Sequence, residues 1–133
     1  MSYNIFWFRR DLRLKDNVGL FHALSQKNKL IPLFIFDKNI IDYLPKDDSR
    51  ISFIYNQLSK INEKLQSYGS SLLVLKGDPK SVFENLISKY NINTVFSNED
   101  YEPYALDRDR KVTEYLKHQD IFHKQYKDQV VFS

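Results

Sequence analysis

The sequence predicts an α/β domain built on a doubly wound sheet of five parallel strands, with helices on both faces. Two observations predict this fold class. First, five short apolar runs rich in β-branched and aromatic residues recur along the 133 residues, and such near-continuous runs are typical of strands covered on both faces. Second, stretches with helical spacing or helix-start signals separate the runs, so strands and helices alternate as parallel crossover connections require.

The five apolar runs are the predicted strands, all of them expected to be buried. They are residues 3–8, 30–36, 71–75, 94–96 and 121–126. Right-handed crossovers between them favour a Rossmann-like sheet in the strand order 3-2-1-4-5. Ligands of such sheets bind beyond the carboxyl ends of the strands where the order reverses, which here lies between strands one and four. Residues 8–11 and 98–102 are therefore expected at a ligand crevice.

Four helices are predicted between these strands. The first begins at Asp16 or Asn17, either of which can cap it, and the second covers residues 51–68 with apolar residues three or four apart. The third follows the turn and cap at residues 77–79, and the fourth runs from 104 to 118. The inner face of the fourth helix is expected to include Leu106, Val112, Tyr115 and Leu116.

Composition narrows the functional classes. With only 3 Gly and 4 Pro in 133 residues, the composition fits one compact domain. The absence of Cys excludes a disulfide scaffold, a Cys-based zinc site and a cysteine nucleophile. Its longest apolar stretch, residues 30–36, is far shorter than the ~20 residues of a membrane-spanning helix, and its start lacks a signal-peptide pattern, so a cytoplasmic protein is expected. A net charge of +3 is too small for a dedicated nucleic-acid-binding domain.

The sequence lacks the motifs of common catalytic sites. It contains neither G-x-G-x-x-G nor a P-loop, and no G-x-S-x-G elbow. The three histidines, His22, His118 and His123, lack the close spacing of a metal site. We therefore expect neither a metal site nor a catalytic residue in this chain.

Two charged segments lie at the predicted crevice. Residues 6–17 (FWFRRDLRLKDN) place three Arg after the first strand, and residues 98–109 (NEDYEPYALDRD) collect five carboxylates past the fourth. A purely structural interpretation of the first segment is a salt-bridged turn, in which Asp11 pairs with an Arg and Asp16 caps the first helix. A purely structural interpretation of the second is an acidic helix start that complements the helix dipole. The functional interpretation is a ligand site.

These segments resemble those of a known family. Residues 5–17 closely match the opening of DNA photolyases and cryptochromes, and residues 98–104, followed by Asp107-Arg108-Asp109, look like the second hallmark of their N-terminal domain. Residues 76–79 and 126–131 also look like family segments, in the usual order. The resemblance spans the chain.

The resemblance implies a function. In this family the N-terminal α/β domain carries a light-harvesting antenna chromophore, while a separate helical domain holds FAD and repairs ultraviolet-induced pyrimidine dimers in DNA by blue-light-driven electron transfer from the reduced flavin. Residues 1–133 are then expected to be the antenna domain of a longer photolyase, a carbon-carbon lyase, and to be inactive alone. The apolar run at its last residues also predicts a chain that continues, here without its FAD-binding helical domain. The expected partners are that FAD-binding domain and, through it, ultraviolet-damaged DNA. No binding to a membrane is expected.

The resemblance also bears on the chromophore. The folate-binding subgroup carries Asn-Glu where this chain has Tyr104-Ala105, which argues against methenyl-folate. The form of residues 98–104 is more similar to the subgroup with an 8-hydroxy-deazaflavin or flavin antenna. Because some family members carry no antenna, an empty crevice is an alternative.

Nine residues are expected to form the antenna site. Aromatic side chains would bury or stack on a planar ring, and carboxylates would accept hydrogen bonds from its N–H or hydroxyl groups. An arginine at the start of the second helix would face a phosphate or acidic tail, or else remain a solvated charge. The nine are Phe8, Arg9, Arg10, Phe36, Asp37, Arg50, Asp100, Tyr101 and Glu102.

Two other functions stay open. A cryptochrome photoreceptor shares this domain, and only residues beyond position 133 would distinguish it. A stand-alone α/β module that binds an adenine nucleotide would use the same crevice, although the charged turn after the first strand lacks the glycines that cradle a phosphate.

Overall fold

The computed structural model describes residues 1–127, which contain one sheet of five parallel strands. The strands are β1 (Tyr3–Phe8), β2 (Lys29–Asp37), β3 (Leu73–Gly77), β4 (Ile92–Asn98) and β5 (Phe122–Tyr126). The helices are α1 (Val18–Leu24), α2 (Lys38–Ile41), α3 (Ser49–Ser67), α4 (Pro79–Lys89) and α5 (Pro103–His118). Neighbouring strands follow the order β3-β2-β1-β4-β5, which confirms the predicted fold class and strand order. The family-like segment at 126–131 extends outside the described residues.

The central strands are buried because helices cover both faces of the sheet. Side chains alternate between the faces, as the period of two in a strand requires. One face, which includes Ile5 and Trp7, packs against α4 and α5. The other, which includes Phe6 and Phe8, packs against α1 and α3. The sheet and the helices on its two faces form three packed layers, which hold the ends of β1 and β4 in a fixed position.

The prediction of five buried strands is wrong for the two edge strands. No residue of β3 is fully buried, and Phe122 of β5 keeps 69% of its surface exposed. An edge strand has a hydrogen-bonded neighbour on one side, and the helices lie over the centre of the sheet. An apolar run therefore indicates that a strand forms here without indicating that it is covered.

At the helix starts, one of the two predicted caps of the first helix is confirmed, and one short helix is new. Asn17 caps α1, since its side chain accepts the Leu20 N–H at 3.1 Å, whereas Asp16 adopts a left-handed conformation with φ at 52°. The structural interpretation that Asp16 caps this helix is therefore wrong. The short helix α2 has no counterpart among the predicted helices; it begins directly after β2, where Asp37 caps it.

The inner face of α5 is rotated from its predicted position. Leu106 is 54% exposed, although the spacing predicts it inside, while Tyr115 packs against the core as predicted. The buried residues of α5 are Ala105, Asp109, Val112 and Leu116. The rotation buries the Asp109 carboxylate, which is stable there because it meets the guanidinium of Arg9.

The longest helix, α3, covers one face of the sheet. Asp48 caps it by accepting the Arg50 N–H at 2.9 Å, and Leu58 and Ile61 are its buried residues. The chain leaves it through Gly69 at φ +81°, a conformation that glycine adopts without strain. Within the part of the chain that the structure describes, no helix is long and apolar enough to cross a membrane.

Candidate functional site

A cleft opens at the carboxyl ends of β1 and β4, which are neighbours in the sheet. Beyond β1 the chain turns toward α1, and beyond β4 it turns toward α5, so the two connections separate at this point. The cleft, called the crevice below, has a volume of about 200 Å³. It is lined by Arg9, Arg10, Asp11, Arg13, Asn98, Glu99, Asp100 and Tyr101.

Arg10 joins the two sides of the crevice. Its guanidinium lies 3.0 Å from the Asp100 carboxylate and 3.4 Å from that of Glu102. Asp100 is almost buried and also accepts the backbone N–H of Glu102 at 3.2 Å, whereas the Arg10 side chain is 69% exposed. Because the guanidinium of Arg10 is largely exposed, these ion pairs are screened by water, and Arg10 can exchange the carboxylates for another anion.

Arg9 points inward, in the direction opposite to Arg10. Its guanidinium donates to Asp109 of α5 at 2.6 Å and to the backbone carbonyl of Asn98, and both charged side chains are about 5% exposed. The same guanidinium lies 4.7 Å from the ring centre of Trp7. This buried ion pair, together with the hydrogen bond to the Asn98 carbonyl, fixes the turn after β1 to the start of α5.

A second buried guanidinium, that of Arg108, lies beside the crevice. It is 5.1 Å from the Trp7 ring, and its Nε donates to Asp109 at 3.1 Å. Its Nη2 is buried without a hydrogen-bond partner among the described residues, and it lies 3.9 Å from the nearer Asp100 oxygen. Since buried donors are nearly always paired, this nitrogen marks a position where a further acceptor atom would be stabilised.

Asp37, at the end of β2, is connected to the start of α5. The Tyr104 hydroxyl donates to its carboxylate at 2.6 Å, while the other carboxylate oxygen accepts the backbone N–H of Asn39 at 2.9 Å. Burial, together with the hydrogen bond to the Asp37 carboxylate, raises the pKa of Tyr104 to about 12. The phenol therefore stays protonated at neutral pH and ties β2 to α5.

The two predicted phenylalanines lie in the core. Phe8 has no exposed surface and packs edge-on against Phe6 at 4.7 Å between ring centres. Phe36 is 7% exposed and lies 5.0 Å from Tyr55 of α3, which is itself 58% exposed. Phe8 therefore supports the crevice from below, and beside Phe36 the aromatic ring exposed to solvent is that of Tyr55.

The two remaining predicted residues are exposed. Arg50 pairs with Asp48 at the start of α3, with Nη2 2.7 Å from the carboxylate, and this hydrogen bond lowers the pKa of Asp48 to about 2. Tyr101 is 64% exposed and donates to Glu99 at 3.1 Å, which raises the pKa of its phenol. Of the nine predicted residues, the structure brings five to the crevice: Arg9, Arg10, Asp100, Tyr101 and Glu102.

His123 of β5 lies behind the crevice and is held as a neutral ring. Its two ring nitrogens lie 2.8 Å from the Ser97 hydroxyl and 2.7 Å from the Thr113 hydroxyl. Burial, followed by the positive charges of Arg9 and Arg108, lowers the pKa of His123 to about 3. This is a structural histidine whose hydrogen bonds are satisfied.

Three residues that shape the site, Asn98, Arg108 and Asp109, are absent from the nine predicted site residues. All three belong to the charged segment 98–109, which signals the region without showing which side chains turn inward. Asp109 and Arg9 are 100 positions apart, so their pairing leaves no local pattern.

A family model and several proteins similar in sequence point to one family. A family model described as DNA photolyase matches residues 4–133. A deoxyribodipyrimidine photo-lyase of a Synechococcus species is 38% identical over 129 residues, which cover 97% of this chain and 27% of that protein. Cryptochrome-1 of Anopheles gambiae is 32% identical over 126 residues, which cover 89% of this chain and 23% of that protein. The chain thus spans about a quarter of the length of these relatives.

Solved structures agree with the sequence relatives. The archaeal photolyase from Sulfolobus tokodaii superimposes with a TM-score of 0.88 at 35% identity, covering 98% of this chain and 30% of that one. That structure contains two FAD molecules and is described as implying a novel light-harvesting cofactor. A Synechocystis cryptochrome superimposes with a TM-score of 0.86 at 26% identity, covering 96% of this chain and 27% of that one. The chain therefore belongs to the DNA photolyase family.

Proposed function

We propose that this chain is the light-harvesting antenna domain of a deoxyribodipyrimidine photolyase, and that its crevice binds a flavin or an 8-hydroxy-deazaflavin. One observation carries the proposal: in a member of this family, Arg10 meets Asp100 and Glu102 at the sheet edge where ligands of this fold bind. The two FAD molecules in the Sulfolobus tokodaii photolyase support a flavin-type chromophore.

The crevice side chains suit a planar chromophore that carries polar ring atoms and a negative charge. Arg10 would pair with a phosphate or an anionic ring, and Asp100 and Glu102 would accept ring N–H or hydroxyl hydrogen bonds. The crevice volume of about 200 Å³ is below the roughly 300 Å³ of the smallest enclosed ligand sites, so the ring would remain partly exposed beside Tyr101.

The start of α5 supports a flavin or deazaflavin over methenyl-folate. Ala105 is 3% exposed and offers no polar group, and the Tyr104 hydroxyl is already used by Asp37. The carboxylate that the folate-binding subgroup carries here therefore has no substitute. When bound, the chromophore would supply absorption of near-ultraviolet or blue light and transfer of the excitation energy to reduced FAD.

The rest of the activity belongs, in this proposal, to a longer protein. The relatives are about four times longer than this chain, which supports a further domain that holds FAD and contacts damaged DNA. Residues 1–133 would then bind and orient the antenna without repairing DNA themselves.

Titration with three chromophores tests the antenna proposal. We expect the purified chain to bind FMN or 8-hydroxy-deazaflavin, measured by fluorescence anisotropy, and not to bind methenyl-folate. Asp100→Asn and Glu102→Gln should each weaken binding by about tenfold, the cost of one charged hydrogen bond. The matched control is Glu114→Gln, which removes an exposed carboxylate that pairs with Arg110 on α5. A wild-type chain that binds ATP tightly and none of the flavins would instead support a nucleotide-binding module.

A cryptochrome is the second candidate function, and the similarity to the Anopheles and Synechocystis cryptochromes favours it. The reading frame that contains this domain, expressed to its natural end, decides between the two. Light-dependent loss of cyclobutane dimers or 6-4 products from irradiated DNA supports the photolyase. Flavin photochemistry without repair supports the cryptochrome.

A further inference from the structure

We infer that Asn98 is the positioning residue of the crevice: it locks the turn after β1 and the start of α1 into the one arrangement that presents Arg10 to Asp100 and Glu102. This role for the crevice rests on the proposed function. Asn98 is the last residue of β4, and it is 3% exposed. It therefore sits beneath the crevice, between the two turns that form its sides.

The side chain of Asn98 is held by hydrogen bonds at both ends of its amide. Its Nδ2 donates to Asp11 at 2.6 Å and to Asn17 at 2.7 Å, and its Oδ1 accepts the backbone N–H of Gly19 at 2.8 Å. Both amide hydrogens are thus used, and a flipped amide would face donors with donors and acceptors with acceptors. The orientation of the amide is therefore unique.

The backbone of Asn98 holds the same turn from a second direction. Its carbonyl accepts from the Arg9 guanidinium, and the second oxygen of Asp11 accepts the backbone N–H of Arg9 at 2.8 Å. Residues 9 and 11 are both fixed in this way. Arg10, which lies between them, is directed outward to Asp100 and Glu102.

The chemistry of the contacts selects Asn over other residues at this position. An aspartate would place an oxygen against the oxygens of Asp11 and Asn17, and an apolar residue would leave the buried Gly19 N–H unpaired. Gly19 is matched to Asn98, since a Cβ at position 19 would lie 2.7 Å from Asn98 Oδ1. The four residues thus form one unit, called the Asn98 network, of Asp11, Asn17, Gly19 and Asn98.

An exchange of donor and acceptor across one hydrogen bond tests the inference. Asn98→Asp sets two carboxylates against each other, and Asp11→Asn sets an amide against an amide, whereas the combined Asp11→Asn/Asn98→Asp protein restores a donor-acceptor pair. Each protein is measured twice, for its urea midpoint without ligand and for its FMN affinity under conditions where it is folded. The control is Asn85→Asp on the exposed side of α4.

We expect each single variant to weaken FMN binding by about tenfold or more and to lower the urea midpoint, as the loss of a buried hydrogen bond requires. The combined protein should recover part of the loss in FMN affinity and part of the loss in urea midpoint. Recovery should be incomplete because the side-chain oxygen of Asn17 still faces the new carboxylate at position 98. The control should match the wild type. A combined protein in which the two midpoint losses simply add would overturn the inference.

The two measurements separate this inference from the proposed function. If the wild type binds FMN and the single variants bind it equally well, Asn98 positions nothing for the ligand, and the inference fails while the proposed function stands. If the wild type does not bind FMN, the flavin proposal fails, and the urea measurements alone decide whether the Asn98 network fixes the turn.

Discussion

Replacing Gly19 by Ala tests how closely α1 sits on the end of β4. On an exposed helix this change stabilises a protein by about 1 kcal/mol, because Ala is the better helix former. In this structure the new Cβ would lie 2.7 Å from Asn98 Oδ1 and 2.9 Å from the Phe6 ring, both of which are buried and confined. We therefore expect the effect to change sign.

The magnitude follows from three contributions. Overpacking of a confined core costs about 1–3 kcal/mol, and displacement of the Asn98 amide loses a hydrogen bond of about 1 kcal/mol. The helix propensity of Ala returns about 1 kcal/mol. The free energy of unfolding should therefore fall by about 2 kcal/mol, which at a urea dependence of about 2 kcal/mol per molar lowers the midpoint by about 1 M.

Urea unfolding followed by far-ultraviolet circular dichroism measures this effect, with Asn85→Ala as the control. Asn85 lies on the exposed side of α4, where a smaller gain in helix propensity meets no packing constraint. The control should unfold at the wild-type midpoint or above it. A Gly19→Ala protein as stable as the wild type would refute the close approach of α1 to Asn98.

Three further predictions concern the core. In the folded protein the pKa of His123 is lowered to about 3, so between pH 6.5 and 3 the unfolded chain binds more protons than the folded one. The free energy of unfolding should therefore fall toward acid by up to about 1.4 kcal/mol per pH unit. His123→Gln should make stability depend less on pH in this range. Asp109→Ala leaves the buried Arg9 guanidinium without its counter-charge and should cost about 3–5 kcal/mol in urea unfolding. Phe8→Ala should cost about 3–5 kcal/mol, against less than about 0.5 kcal/mol for the exposed Phe21→Ala; equal losses would contradict the burial assigned to Phe8.

The fold could be predicted from the sequence because local patterns determine most of it. Apolar runs mark the strands, caps and spacing mark the helices, and the handedness of crossovers leaves few strand orders. Local patterns do not report how far a helix extends over the sheet, which is why β3 and β5 were expected to be buried. The inward rotation of Asp109 and outward rotation of Leu106 have the same origin, since they depend on Arg9 at the other end of the chain.

The candidate site could be predicted in outline for a related reason. Parallel strands bring their carboxyl ends to one edge of the sheet, so the sequence predicts Arg10 and Asp100 at the same crevice, where they form an ion pair. The individual roles within each charged segment depend on side-chain direction. Arg9 and Arg10 are adjacent in sequence, yet one is buried in an ion pair and the other is exposed.

The position of Trp7 gives this protein an internal optical probe. It is the only tryptophan of the 133 residues, it is 1% exposed, and the guanidiniums of Arg9 and Arg108 lie 4.7 Å and 5.1 Å from its ring. Indole emission therefore arises from one place, directly beneath the crevice. If this emission and the circular dichroism change together in urea, the crevice opens only when the whole domain unfolds. An earlier change in emission would identify local opening at this edge of the sheet.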